Sequence, residues 1–250
     1  EFGNSVPFRI GITSLHHQWK DKFYVKQADA SRIFGLELEH LLTNNVIHFM
    51  CAHNTLIEKH IVGMPGDEFL KTHFLSLSDA SKQALANAFI AFNTASFARL
   101  LGDMRNYNFV INTSENEQQQ TAYHFRAIDF DQQCYEGRLK LYWPQFYREN
   151  YPFVKNVQEI FSKTEIKTIQ HQQAQQFIRL YQKNATQIRA LLDALMQAEI
   201  SENYKVKQLA ADLNQFYGNQ DFSNCTTMAS IVDVQIKAQL RYFQATESME

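Results

Sequence analysis

Two short apolar runs, Phe109-Val110-Ile111 and Tyr123-His124-Phe125-Arg126-Ala127-Ile128, flank a polar centre from Asn112 to Thr121 that is rich in Ser, Asn, Gln and Glu. Alternating or apolar runs on either side of a polar break read as two strands joined by a long hairpin loop. If the strands pair antiparallel, Asn108, just before the first, lies beside Asp129, just after the second. Oxygen donors distant in sequence then converge at one end of a ladder, with Asp103 one loop away. Such a set suits a hard cation such as Mg²⁺, which takes one or two carboxylates and completes its shell with water and substrate phosphates.

The rest of the chain limits what can surround that hairpin. At 250 residues, 45% hydrophobic and 20% charged, it can bury a core as one domain or two small lobes and is not a disordered polymer. A net charge of −2 and a pI near 6.5 give no field for nucleic acid. Twenty Phe and eleven Tyr predict an aromatic core, and eight Gly and four Pro predict long ordered elements. The most apolar stretch, residues 84–101, is broken by Asn87, Asn93 and Arg99, which makes it a buried helix rather than a membrane span. Cys51, Cys134 and Cys225 lack metal-ligand spacing, and an odd count of three fits reduced thiols in a cytoplasmic protein. The nine His are scattered with no paired helical spacing, which argues against zinc.

Ahead of the hairpin, Phe8 to Thr13 and Lys22 to Lys26 predict strands. A helix follows from Asp29 or Ser31 with Phe34, Leu38, Leu41 and Leu42 on one face, and Val46 to Cys51 and Thr55 to Val62 predict two more strands. Gly63-Met64-Pro65-Gly66-Asp67 is a turn signal. Ser76 or Ser78 caps a helix that runs through Leu85, Phe89, Phe92 and Phe97 toward Asp103. After Asp131 the apolar spacing is helical almost to the end.

Asp103-Met104-Arg105-Asn106-Tyr107-Asn108 followed by Asp129-Phe130-Asp131 resembles the protein-kinase-like superfamily, whose catalytic loop carries Asp-x-x-x-x-Asn and whose later Asp-Phe-Gly-type motif supplies a second acid. Leu101-Gly102-Asp103 resembles the start of that loop in aminoglycoside- and choline-kinase-like enzymes, with Leu where His is usual, and the layout is also similar to HipA-like and phosphoinositide kinases. The triplet ends in Asp rather than Gly, a departure at home in the atypical branches.

The resemblance implies an α+β, two-lobed fold, with a strand-rich N-lobe over residues 1–63 and a larger helical C-lobe over residues 64–250. It implies Mg²⁺ and ATP in the cleft and transfer of the γ-phosphate to a hydroxyl acceptor, on a small molecule or a protein. Asp103 would orient or accept the acceptor proton, and Asn108 and Asp129 would hold the metal. Lys26 would meet the α/β-phosphates in preference to Lys22. Its helical carboxylate partner would be Glu37 or Glu39, with Glu37 preferred because it sits nearer the apolar stripe. Glu58, Lys59, His60 and Ile61 would form the hinge beside the adenine, and Ser5, in Gly3-Asn4-Ser5, would belong to a remnant of the phosphate-covering loop. A full Gly-rich loop is absent. Arg105 and Arg126 are candidates to offset phosphate charge, and the segment from Tyr135 to Tyr151, with Glu136, Arg138, Lys140 and Arg148, is a candidate border of the acceptor. Transfer of AMP on the same fold, as in selenoprotein O-type enzymes, a pseudokinase acting as a binding or scaffold module, and a helical interaction protein without a nucleotide site are the competing readings.

Overall fold

A computed structural model of the chain describes residues 7–13, 20–115 and 121–247. Strands β1 (Phe8–Thr13) and β2 (Lys20–Gln27) pair antiparallel, and Ala28-Asp29 turns the chain into helix α1 (Ala30–Leu42). The Asp29 carboxylate caps α1 by accepting from the Arg32 N–H, which satisfies one of the donors that a helix start leaves open. Strands β3 (Phe49–Ala52) and β4 (Thr55–Lys59) follow, and β4 inserts beside β2 to give one antiparallel sheet in the order β1-β2-β4-β3. The strand-strand-helix-strand-strand order predicted from the sequence is therefore present.

The predicted turn at residues 63–67 carries more structure than a turn. Met64–Pro65 forms a two-residue strand, β5, that pairs with Ile111 and Val110, and helix α2 (Gly66–Thr72) begins at once. Helix α3 (Asp79–Ala98), capped by the Ser78 hydroxyl, leads to the hairpin of β6 (Phe109–Glu115) and β7 (Thr121–Ala127). The hairpin is antiparallel with Phe109 opposite Ala127, and the second sheet runs β5-β6-β7. Short 3-10 turns span residues 139–150, and the chain ends in five helices: α4 (Tyr151–Ile160), α5 (Lys163–Lys183), α6 (Ala185–Leu195), α7 (Asn203–Tyr217) and α8 (Met228–Glu247). The protein is thus mixed α+β, with small antiparallel sheets and an extensive helical part. No helix of the described residues is long and apolar enough to cross a membrane.

Two apolar clusters hold these elements. In one, Phe89 and Phe92 of α3, Phe109 and Phe125 of the hairpin and Phe153 of α4 lie with neighbouring ring centroids 5.1–6.0 Å apart, which fixes the hairpin against α3. Each such buried ring contributes about 1.5–3 kcal/mol relative to exposure. In the other, Phe34, Leu38, Leu41 and Leu42 of α1 pack with Ile188 and Leu192 of α6 and Val232 and Ile236 of α8. Both clusters take residues from either side of position 63, so the division expected there is not a division of the core.

Helix α1 also approaches the Asp129-Phe130-Asp131 triplet closely, and Gly35 makes that possible. A β-carbon there would lie 2.9 Å from Phe130 Cβ and 3.0 Å from Gln133 Cβ, too near for either to yield easily. Gly35→Val is expected to lower stability by about 1–3 kcal/mol through overpacking. A urea midpoint unchanged from wild type would contradict this contact.

Candidate functional site

A cavity of about 870 Å³ opens between the first sheet and the hairpin. Tyr24 and Lys26 of β2, Glu58 of β4, residues 59–61 and Arg32 of α1 line one side. Asp103, Asn108 and Asp129 to Asp131 line the other. Lys26, Glu58 to Ile61, Asp103, Asn108 and Asp129 therefore meet in one space, whereas Glu37, Arg105 and Arg126 do not line it. Ser5 lies outside the described residues.

The loop carrying Asp103 is tightly held. Asp103 has a left-handed backbone, φ 55°, which costs a non-glycine residue free energy and persists only where the surroundings impose it. Its N–H donates to the Tyr147 hydroxyl oxygen at 3.0 Å, and that hydroxyl donates to the Leu141 carbonyl at 2.7 Å. The Asp103 carboxylate accepts from Arg105 Nε at 2.8 Å on one oxygen and from Asn108 Nδ2 at 3.1 Å on the other. Burial raises the Asp103 carboxyl above the usual range, the Arg105 hydrogen bond and charge oppose it, and Asp129 adds to it. Arg105 in turn pairs with Glu149 at 2.6 Å, and Asn150 donates to the Met104 carbonyl at 2.8 Å. Tyr147, Glu149 and Asn150, within the Tyr135 to Tyr151 segment expected to border an acceptor, thus brace the Asp103 loop. Tyr147 and Glu149 went unidentified in the sequence because a contact 44 residues away leaves no periodic trace.

Asn108 and Asp129 are neighbours by strand register, since the Ile128 N–H donates to the Asn108 carbonyl at 3.0 Å. The Asn108 amide orientation follows from its partners. Only a donor can face both the carbonyl and the carboxylate of Asp103, so Nδ2 points there and Oδ1 has no partner among the described residues. Asp129 engages one oxygen, Oδ1, with Arg32 Nη1 at 3.0 Å. Asp131 stands 3.8 Å from Arg32 Nη2, and burial followed by the Asp129 charge pushes its carboxyl up to about 6.

The lysine partner requires a correction. Lys26 Nζ pairs with Glu58 Oε2 at 2.7 Å, not with Glu37. Register explains it: Tyr24 opposes Glu58 and Lys26 opposes Leu56, so Lys26 and Glu58 are diagonal neighbours on one face of the sheet. Helix α1 turns its Arg32 and Leu36 row, four residues apart, toward the cavity, which carries Glu37 aside. Glu39 is buried and paired with Arg99. The acid expected from the helix comes from a strand, and the helix contributes a cation.

Residues 58–61, expected to lie beside the adenine, differ in how their backbone groups are engaged. The Lys59 N–H donates to the His48 carbonyl and the His60 N–H to the Lys22 carbonyl, each at 2.8 Å, whereas the Ile61 backbone has no hydrogen-bond partner among the described residues. Arg126, a candidate for phosphate charge, instead donates to the Val46 carbonyl at 2.9 Å.

A second cavity of about 850 Å³ lies between α3, β7 and α5. Glu165 is its one charged lining residue, so it offers no cluster of chemical groups. Comparison with models of protein families, with curated proteins and with solved structures finds no match to this chain.

Proposed function

We propose that the chain is an ATP-dependent phosphotransferase with a two-lobed kinase-like arrangement, moving the γ-phosphate of Mg-ATP to a hydroxyl acceptor. The observation that supports it is the shared lining of one cavity by Lys26, Asp103, Asn108 and Asp129, which come from three separate stretches of chain. At about 870 Å³ the space falls within the range of small-molecule and cofactor sites, about 300–1,000 Å³.

In this reading Ile61 offers its open backbone groups to the base edge, and Lys26, steadied by Glu58, donates to phosphate oxygens. The donor set fits a divalent ion: Asn108 Oδ1 and Asp129 Oδ2 have no protein partner among the described residues, and one of the two is anionic. Among the described residues no group of three or more His, Cys, Asp and Glu is placed to hold a metal, so phosphate oxygens and water would have to complete the shell. Bound there, the ion would neutralise charge on the phosphates. Asp103 faces the same space with both oxygens fixed by donors, and its burial-raised basicity suits it to accept the acceptor proton. As the acceptor oxygen bonds to the γ-phosphorus, the bond to the β-phosphate oxygen breaks, and the hydroxyl proton passes to Asp103.

ATP labelled at the γ-phosphate, offered with Mg²⁺ and a panel of hydroxyl acceptors, tests the reading. Transfer of the γ-label is the expected result. Transfer of an α-label instead would establish AMP transfer and overturn the phosphate reading.

A further inference from the structure

Arg32 has no counterpart among the expected site residues, yet it is the most enclosed charge in the cavity, with its side chain 3% exposed. Its Nη1 lies 3.0 Å from Asp129 Oδ1, its Nη2 3.8 Å from Asp131 Oδ2 and its Nε 3.4 Å from Asp29 Oδ2. One of these is a hydrogen bond to the triplet, and Nε is buried with no hydrogen-bond partner. A guanidinium placed only to bind α1 to the triplet would be expected to use its paired donors in a bidentate grip. The helix is already fastened there in other ways. The Ser31 hydroxyl donates to the carbonyls of Asp131 and Gln133 at 3.0 and 2.7 Å, and Gly35 packs beneath Phe130. Arg32 therefore acts chiefly as a counter-charge among acids, holding Asp129 Oδ1 while Oδ2 stays open to a cation.

We propose that Arg32 is a resident counter-ion that weakens the hold of Asp129 on free divalent cations, so that the metal binds tightly only together with its nucleotide. This rests on the reading of Asp129 as a metal ligand. A bare divalent ion at Asp129 Oδ2 shares the carboxylate with a buried positive charge and is held weakly. A metal-nucleotide complex brings phosphate oxygens that give the guanidinium a new partner, and the full charge of Asp129 then faces the metal. Nucleotide and metal then bind cooperatively at the protein, each raising the affinity for the other by the same factor.

Mn²⁺ binding to the full chain, followed by electron paramagnetic resonance with and without a non-hydrolysable ATP analogue, tests this without measuring turnover. Wild type is expected to bind Mn²⁺ about ten-fold or more tightly with the analogue than alone. Arg32→Gln is expected to bind free Mn²⁺ about ten-fold more tightly than wild type, narrowing the gap. Asp129→Asn in the Arg32→Gln background should remove that gain. Equal free-ion affinity in wild type and Arg32→Gln, with analogue-dependent Mn²⁺ binding retained, would overturn the counter-ion role and leave the proposed function standing. Absence of Mn²⁺ binding in wild type even with the analogue would overturn both. Where Arg32→Gln does not fold, the Arg32 Nε–H resonance of wild type decides: it must move with the Mg-analogue complex and stay in place with Mg²⁺ alone. Movement with Mg²⁺ alone overturns the proposal.

Discussion

The Asp129→Asn protein is expected to transfer phosphate about 10²–10³-fold more slowly than wild type while keeping its fold, the loss seen when one pre-organised electrostatic element is removed from a site. The substitution keeps the shape of the side chain and an acceptor oxygen for Arg32 Nη1, so the local hydrogen bond can survive. It removes the negative charge that would hold a divalent ion beside Asn108 Oδ1. Arg32, with its side chain 3% exposed, loses one of its surrounding charges, for which a stability cost of about 1–3 kcal/mol is expected. Burial alone would lower its basicity; Asp129, Asp29, Glu58 and Asp131 more than offset this and hold it charged. Initial rates with γ-labelled ATP, beside a thermal melt of the same preparation, separate the two effects. An Asp129→Asn protein retaining more than about a tenth of the wild-type rate would remove this carboxylate from the chemistry.

The largest stability effect is expected at Arg99. Arg99 and Glu39 form an ion pair with both side chains 2% exposed, and Glu39 also accepts from Asn45 Nδ2 at 2.6 Å. Removing one member of a buried pair leaves the other charge desolvated, so Arg99→Ala should cost about 3–5 kcal/mol. For a chain of this size that corresponds to a fall in melting temperature of roughly 10 °C. Replacing both members with apolar residues of similar volume, Arg99→Met with Glu39→Leu, should recover much of the loss, because the pair's attraction has to offset two desolvations. The position matters for the site as well. Gln133 donates to the carbonyls of Arg99 and Leu100 at 2.5 and 3.2 Å, and the Ser31 hydroxyl donates to the Gln133 carbonyl. The end of α3, the start of α1 and the segment after Asp131 are thus one buried polar knot. A melt of Arg99→Ala within about 2 °C of wild type would contradict this account.

The hairpin was legible because its signal is local. Apolar runs on either side of a polar break specify two strands, and antiparallel pairing then puts Asn108 beside Asp129 without further information. Helix α1 was legible for a similar reason: of the two starts the sequence allows, Asp29 is the cap, and Phe34, Leu38, Leu41 and Leu42 are buried as its spacing predicts. The carboxylate facing Lys26 was not. A helical wheel gives relative directions around α1 but not its rotation about its own axis, and Gly35 against Phe130 together with the core beneath Phe34 fixes that rotation. Once fixed, Arg32 and Leu36 face the cavity, and the partner comes from the diagonal neighbour Glu58. Strand β5 escaped notice because two residues, one of them Pro65, are too short to carry any period. The support given to Asp103 by Tyr147 and to Arg105 by Glu149 depends on contacts 44 residues apart, for which the sequence holds no local cue.

A calorimetric titration of the full chain with ATP, with and without Mg²⁺, asks most directly whether the cavity between Lys26 and Asp129 takes a metal-nucleotide complex. The account predicts one site per chain, binding that strengthens with Mg²⁺, and loss of that Mg²⁺-dependent gain in Asp129→Asn. No binding by wild type, or the same Mg²⁺ dependence in wild type and Asp129→Asn, would contradict it.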